Sequence, residues 1–172
     1  MGKVIKMKIK TKTPAPIWLM FPALLALGGC SSTADGPATP APTEWQQVDS
    51  NCDFFFKAPP EMKRQDVSGI DSCVGQYLGA GMDLSYDYGG YSDPLDSYSD
   101  NAEYAEESAT IDGFDAKVIR LKLPNGGEMP YVVAAHFADI GKNGVKLTMW
   151  INCKGPAEVE MGRQILDSIS FP

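Results

Sequence analysis

The chain has 172 residues, a formal net charge of −7 and a single histidine. This length suits one domain and leaves little room for a second. An acidic surface repels the phosphates of nucleic acids and anionic lipid headgroups, so the composition argues against nucleic-acid binding and against membrane attachment through a basic patch.

The first thirty residues differ from the rest of the chain in charge, since they hold five lysines and no acidic residue. An apolar run of 11 residues, 17–27, follows the lysines and is interrupted only by Pro22. A membrane-spanning helix needs about 20 residues, so this run is too short to span a bilayer. A basic start, a short apolar run and small residues at the end are typical of an export signal.

The end of this segment carries a more specific motif. Leu27-Gly28-Gly29-Cys30 resembles the lipobox of bacterial lipoproteins, in which an aliphatic residue and two small residues precede a cysteine. The resemblance implies a signal peptide over residues 1–29, cleavage before Cys30, and a diacylglycerol on the Cys30 thiol. An ordinary secretory signal followed by a chance cysteine is the alternative.

Cleavage at this point changes both the charge and the location of the protein. It removes five of the 15 Lys and Arg residues and none of the 22 acids, so the net charge falls from −7 to −12. Attachment to a membrane is then expected through the lipid, and two or more acyl chains hold a protein firmly. Ser31 follows the cysteine where inner-membrane lipoproteins tend to carry aspartate, which predicts the outer membrane, facing the periplasm, in a two-membrane cell.

Residues 30–44 are predicted to comprise the lipidated cysteine and a linker. Residues 31–43 contain three prolines and no large apolar side chain, a composition that stays extended and unfolded. A single globular domain is predicted over residues 45–172.

Turn signals divide this domain into strands. Asp112-Gly113, Asn125-Gly126-Gly127 and Asn143-Gly144 separate segments 116–123, 130–137 and 145–153, which are rich in Val, Ile, Tyr and Phe. Their alternation predicts an antiparallel meander with one buried face. Upstream, residues 52–58 predict a strand, and residues 72–78 and 82–88 predict a hairpin turned at Gly79-Ala80-Gly81.

The last segment has the features of a helix. Pro156 opens it, Glu158 and Glu160 lie in its first turn, and Gly162, Ile165, Leu166 and Ile169 repeat at helical spacing. We therefore predict an α+β domain, with an antiparallel sheet of about six strands packed against helices that include one at the C-terminus.

The order of several short motifs resembles the PsbP-like fold: FFFKAP at 54–59, LSYDYG at 84–89, IDG at 111–113, and ILDSISF at 165–171. This family includes DcrB- and LpqN-type envelope lipoproteins as well as extrinsic photosystem proteins. The resemblance covers residues 52–172 and implies an α/β/α sandwich with a binding or assembly role and no shared active site. This chain departs from the family in one respect: the middle of the sequence is richer in acidic residues and tyrosine than the fold requires.

That middle, residues 65–116, holds twelve acids and no Lys or Arg. Calcium takes six to eight oxygen ligands, which makes Asp93, Asp96, Asp100 and Glu103 candidate ligands on a predicted loop, but their spacing matches no known calcium loop. A solvated acidic loop is the alternative, and no other cofactor is predicted. Of six tyrosines between Tyr77 and Tyr104, the strand residues Tyr77, Tyr86 and Tyr88 are expected to pack, whereas the candidates for a binding surface are Tyr91, Tyr98 and Tyr104.

Catalytic motifs do not emerge from the sequence. His136, the single histidine, falls inside a predicted strand with no Asp, Glu or Cys beside it. No Cys-x-x-Cys, Gly-x-Ser-x-Gly or phosphate loop is present. We therefore expect a protein that is not an enzyme.

Three cysteines remain after lipidation, in a compartment where pairing is expected. We predict a Cys73–Cys153 disulfide, because both cysteines lie at strand ends, with Cys52–Cys73 as the second choice. Three reduced, buried thiols are the alternative.

The function expected from these features is that of an envelope lipoprotein whose small domain binds an envelope protein or a cell-wall component. A cation-binding module is the second hypothesis, motivated by the acidic segment. A hydrolase that uses paired carboxylates is the third.

Overall fold

The computed structural model describes residues 44–172; the predicted export signal, Cys30 and all but the last residue of the predicted linker lie outside this range. Within it the chain forms nine strands and one α-helix: β1 Gln46–Asp49, β2 Phe55–Ala58, β3 Lys63–Arg64, β4 Cys73–Gly79, β5 Met82–Gly89, β6 Ala102–Ile111, β7 Phe114–Lys122, β8 Tyr131–Phe137, β9 Lys146–Cys153 and α1 Pro156–Asp167. A single 3-10 turn, Asp96–Tyr98, precedes β6. None of the described helices is long and apolar enough to cross a membrane.

Seven of the strands form one antiparallel sheet in the order β3-β4-β5-β9-β8-β7-β6, and β1 and β2 form a separate hairpin. The α+β class and the β7-β8-β9 meander are therefore confirmed. The sheet has seven strands rather than about six, and the described range contains one α-helix rather than several. Five of the six predicted strands lie in this sheet, and β3, which has two residues, and β6, which has ten, are added to them. The sixth, predicted at 52–58, forms β2 of the separate hairpin.

Two hairpins have the tight turns that the sequence predicts. Ala80 and Gly81 join β4 to β5 with φ angles of 50° and 74°, and Asp112 and Gly113 join β6 to β7 with 50° and 83°. Positive φ at both central residues is the geometry of a type I′ turn, whose twist matches that of antiparallel strands.

The main core lies between the sheet, α1 and the β1–β2 hairpin. The helix begins at Pro156, as predicted, and buries Ile165 and Leu166. Gly162 lets it approach β8 closely, since a Cβ there would lie 2.7 Å from Cγ1 of Val133. Beside the helix, the Phe54 ring lies 5.0 Å from that of Tyr86 in an edge-on arrangement that favours aromatic pairs.

The opposite face of the sheet, here called the outer face, is also partly buried, so the prediction of one buried face is wrong. Residues 90–101, which connect β5 to β6, cross this face. Leu95 is fully buried against Ile119 and Ala134, and the Tyr98 ring lies 4.8 Å from that of Trp150. The connection therefore supplies apolar cover that a solvated loop would not.

The disulfide joins Cys52 to Cys73, with Cα atoms 5.8 Å apart. The preferred prediction, Cys73–Cys153, is wrong, and the second choice is confirmed. Cys73 pairs with Tyr88 at one end of β5, whereas Cys153 pairs with Met82 at the other end. Six residues of strand span about 20 Å, far beyond the reach of a disulfide. Cys153 is buried and free, and burial raises the pKa of its thiol to about 12.

Replacing both bridged cysteines, C52A/C73A, is expected to lower the free energy of unfolding by about 3 kcal/mol, because the bridge closes a loop of 21 residues. Urea denaturation of the full chain in detergent measures this change. Dithiothreitol should destabilise the wild type by a similar amount and leave the double variant unaffected. Alkylation of Cys73 in the native, unreduced protein would contradict the assignment.

Candidate functional site

Strand β6 forms one edge of the sheet. It pairs with β7, and no other strand among the described residues lies along its second edge. The Ile111–Phe114 pair closes the two-residue turn, so hydrogen-bonded and non-hydrogen-bonded pairs alternate from that point. Glu106, Ser108 and Thr110 therefore direct their backbone N–H and C=O groups away from β7, where a further strand would bind them.

Three cavities border this edge. Two lie between the sheet and α1 and have volumes of about 270 and 430 Å³; the third, about 610 Å³, lies on the outer face. Residues of β6 line every one of them: Ala105 and Glu107 line the first, Ser108 and Thr110 the outer one, and Tyr104 the remaining one. Space for side chains thus exists on both faces of the same free edge.

The two helix-side cavities adjoin each other, because both are lined by Ala105, Arg120 and Val159. The buried side chains of Val118 and Val133 form the apolar floor of the smaller one. Arg163 of α1, which packs on β8 and β9, forms an ion pair with Glu107 of β6. Small β6 side chains and an apolar floor make room for an aliphatic group from outside.

The outer cavity contains the single histidine. His136 lies in β8, as predicted, and its Nδ1 is 2.8 Å from Oγ1 of Thr148. The Thr148 hydroxyl donates its one hydrogen to the Asp93 carbonyl at 2.7 Å, so Oγ1 accepts from Nδ1–H and the neutral ring carries its lone pair on Nε2. Burial lowers the pKa of His136, and the nearby Lys117 and Lys146 lower it further.

The candidate calcium ligands are dispersed among other partners. Asp93 accepts hydrogen bonds from the Leu95 backbone and the Tyr98 hydroxyl, and Asp96 pairs with Lys117, which lowers the pKa of its carboxyl. Glu103 lies in β6 rather than a loop and is 3.6 Å from Lys122. Asp100 is exposed. Within residues 44–172, no three His, Cys, Asp or Glu side chains lie close enough together to hold a metal ion.

The three tyrosines proposed for a binding surface occupy different environments. Tyr91 is 87% exposed. Tyr98 packs against Trp150, so it belongs to the cover of the outer face. Tyr104 lies in β6, not in a loop, and donates a 2.6 Å hydrogen bond to Glu106, which raises the pKa of its own hydroxyl to about 12. Of the three, Tyr104 alone lines one of the cavities at the β6 edge.

The residues with outward-facing backbone groups, Glu106, Ser108 and Thr110, are absent from the sequence-based candidates. A signal for them was present: a hairpin turn at Asp112-Gly113 requires a strand before it as well as after it. The acidic composition of β6 made that strand difficult to predict, because only Ala105, Ala109 and Ile111 show the alternating apolar pattern of the face toward α1.

Protonation of His136 is expected to destabilise the fold, because its folded-state pKa lies below the usual 6.5. The stabilising effect of the neutral ring is complete above pH 6.5 and is lost as the pH falls toward the folded-state pKa. Between these values the unfolding free energy of the wild type should fall by up to about 1.4 kcal/mol per pH unit more than that of His136→Gln. Urea titrations at several pH values compare the two slopes, and equal slopes would contradict the assignment.

No protein-family model matches this chain, and no curated protein is similar to it in sequence. The function is therefore inferred from the geometry of β6 and its cavities.

Proposed function

We propose that this chain is an envelope lipoprotein whose domain binds an extended segment of another envelope protein by adding it to the free edge of β6. The observation that carries the proposal is that three cavities border this edge, on both faces of the sheet. In recognition by strand addition, main-chain hydrogen bonds supply affinity, and pockets for alternate side chains supply specificity.

The unpaired edge itself supports this mode of binding. Glu106, Ser108 and Thr110 each offer one N–H and one C=O group to an incoming strand. β6 has ten residues, longer than the five or six of a typical strand, and an exposed edge of this length is a template for pairing. The pairing with β7 and the ion pair between Glu107 and Arg163 of α1 hold this edge in place before a partner arrives, which reduces the entropy cost of binding.

The proposal also includes attachment to a membrane through Cys30. Its support is the sequence Leu27-Gly28-Gly29-Cys30 after a short apolar run, with Ser31 favouring the outer membrane of a two-membrane cell. A linker of residues 30–44 would allow the domain to reach a partner at some distance from the bilayer. We further propose that the domain belongs to the PsbP-like class, supported by its antiparallel sheet and C-terminal helix.

Replacing Ser108 with proline is expected to reduce binding of the partner by at least about tenfold, because proline removes an outward N–H group and its ring blocks the edge. A photo-crosslinking amino acid at Thr110 in the full chain, expressed in cells, measures occupancy of the edge. The specific adduct should be strong in the wild type and weak in Ser108→Pro.

Ser108→Ala is the matched control, since it removes the same hydroxyl but keeps the backbone donor. It should retain the adduct, and thermal unfolding should show that both variants are folded. A photo-crosslinker at the exposed Gln164 of α1 measures nonspecific crosslinking, to proteins that do not bind the β6 edge. An adduct at position 110 that is equally strong in the proline and alanine variants would overturn strand addition.

Replacing Cys30 with alanine is expected to abolish lipid attachment and to release the protein from the membrane fraction. Metabolic labelling with radioactive palmitate and sucrose-gradient fractionation measure both effects. Cys153→Ala is the control, because it removes a buried cysteine of the folded domain and should keep the label. Label that persists in Cys30→Ala would refute the proposed anchor.

A further inference from the structure

We infer that the partner segment carries alternating cationic and aliphatic side chains. A cationic side chain lies opposite Glu106, and an aliphatic one enters the smaller of the two helix-side cavities. This inference rests on the proposed function, because it assumes that a strand adds to β6. It follows from the two different environments that the faces of the sheet offer at this edge.

The charge on the edge selects the cationic side chains. β6 contains Glu103, Glu106 and Glu107 and no Lys or Arg. Glu103 lies 3.6 Å from Lys122, and Glu107 pairs with Arg163, but Glu106 forms no ion pair with any of the described residues. Its contact is the Tyr104 hydroxyl, which donates a hydrogen bond and leaves the negative charge in place. Opposite charges across a strand pair are stabilising, so a Lys or Arg of the added strand fits beside Glu106.

The environment on the other face selects the aliphatic side chains. Neighbouring residues of an added strand point to opposite faces, so those next to the cationic ones face α1. There the cavity of about 270 Å³ has Val118 and Val133 as its floor and Val159 on the helix wall. The small Ala105 and Ala109 flank Glu107 on this face and leave the entrance open. Charged residues also line this cavity: Glu107 pairs with Arg163, and Glu106, Arg120 and Glu160 are exposed to solvent. A branched aliphatic side chain can therefore pack on the three valines without burying an unpaired charge.

A second copy of this chain is a poor occupant of the same edge. In antiparallel pairing between two β6 strands, the two registers that overlap most of the strand place either Glu106 or Glu107 opposite its own copy. Like charges directly opposite each other destabilise a strand pair. The whole chain adds to this repulsion, since it has 22 acids against 15 Lys and Arg, five of which precede the proposed cleavage site. A basic segment of a different protein would instead be attracted to the acidic edge.

The test uses two fluorescent nine-residue peptides that alternate valine with lysine or valine with glutamate, titrated onto the full chain in detergent. We expect the Lys-Val peptide to bind at low ionic strength and the Glu-Val peptide to bind at least about tenfold more weakly. Glu106→Lys should weaken the Lys-Val peptide by about tenfold or more. Glu61→Lys is the control: it makes the same change in net charge at an exposed position beyond the far edge of the sheet, and it should weaken the peptide less than twofold.

The remaining outcomes separate this inference from the function on which it rests. Equal binding of the two peptides, lost for both in Ser108→Pro, would leave strand addition standing and overturn the cationic preference. Equal weakening by Glu106→Lys and Glu61→Lys would show a diffuse attraction and overturn the role of Glu106. Binding of the Lys-Val peptide that is unchanged in Ser108→Pro, or no binding of either peptide, would overturn both.

Discussion

The pairing of β5 with β9 is the constraint on which the rest of the domain depends. Eight consecutive residue pairs, from Met82–Cys153 to Gly89–Lys146, join strands that are far apart in the sequence. β4 pairs with one edge of β5 and β9 with the other. The strands between β5 and β9 in the chain, β6, β7 and β8, therefore cannot lie next to β5. They extend outward from β9 in reverse order, and β6, which follows β5 in the sequence, becomes the edge of the sheet.

The connection from β5 to β6 must therefore cross β9, β8 and β7. This crossing gives residues 90–101 their role, since Leu95 and Tyr98 bury the apolar residues of the outer face on the way. The Asp93 carbonyl accepts the Thr148 hydrogen, and Thr148 in turn accepts from His136, so the same segment orients the single histidine. This one connection thus covers the outer face of the sheet and forms a wall of the outer cavity through Pro94 and Asp96. It also places β6 at the edge of the sheet, next to β7.

The acidic composition of β6 has two consequences for such an edge. Charged side chains protect an exposed strand against pairing with identical copies, a general requirement for a long edge. The same charges leave a basic strand as the favoured addition, since complementary charge raises the association rate and discriminates among partners. Protection and recognition then come from the same side chains, with Glu106 as the residue whose charge is not balanced by an ion pair within residues 44–172.

The sequence by itself determined the features whose cause is local. Turn residues at Ala80-Gly81 and Asp112-Gly113, the alternation along β7 and β9, and the spacing of Ile165 and Leu166 in α1 each depend on neighbours a few residues away. The tertiary structure alone decided the features that depend on distance across the sheet. Cys73 bonds to Cys52 and not Cys153 because the register of β5 and β9 puts Cys153 at the far end. β6 is a strand because β7 pairs with it, although its own side chains are mostly polar, and it is an edge because β9 pairs with β5.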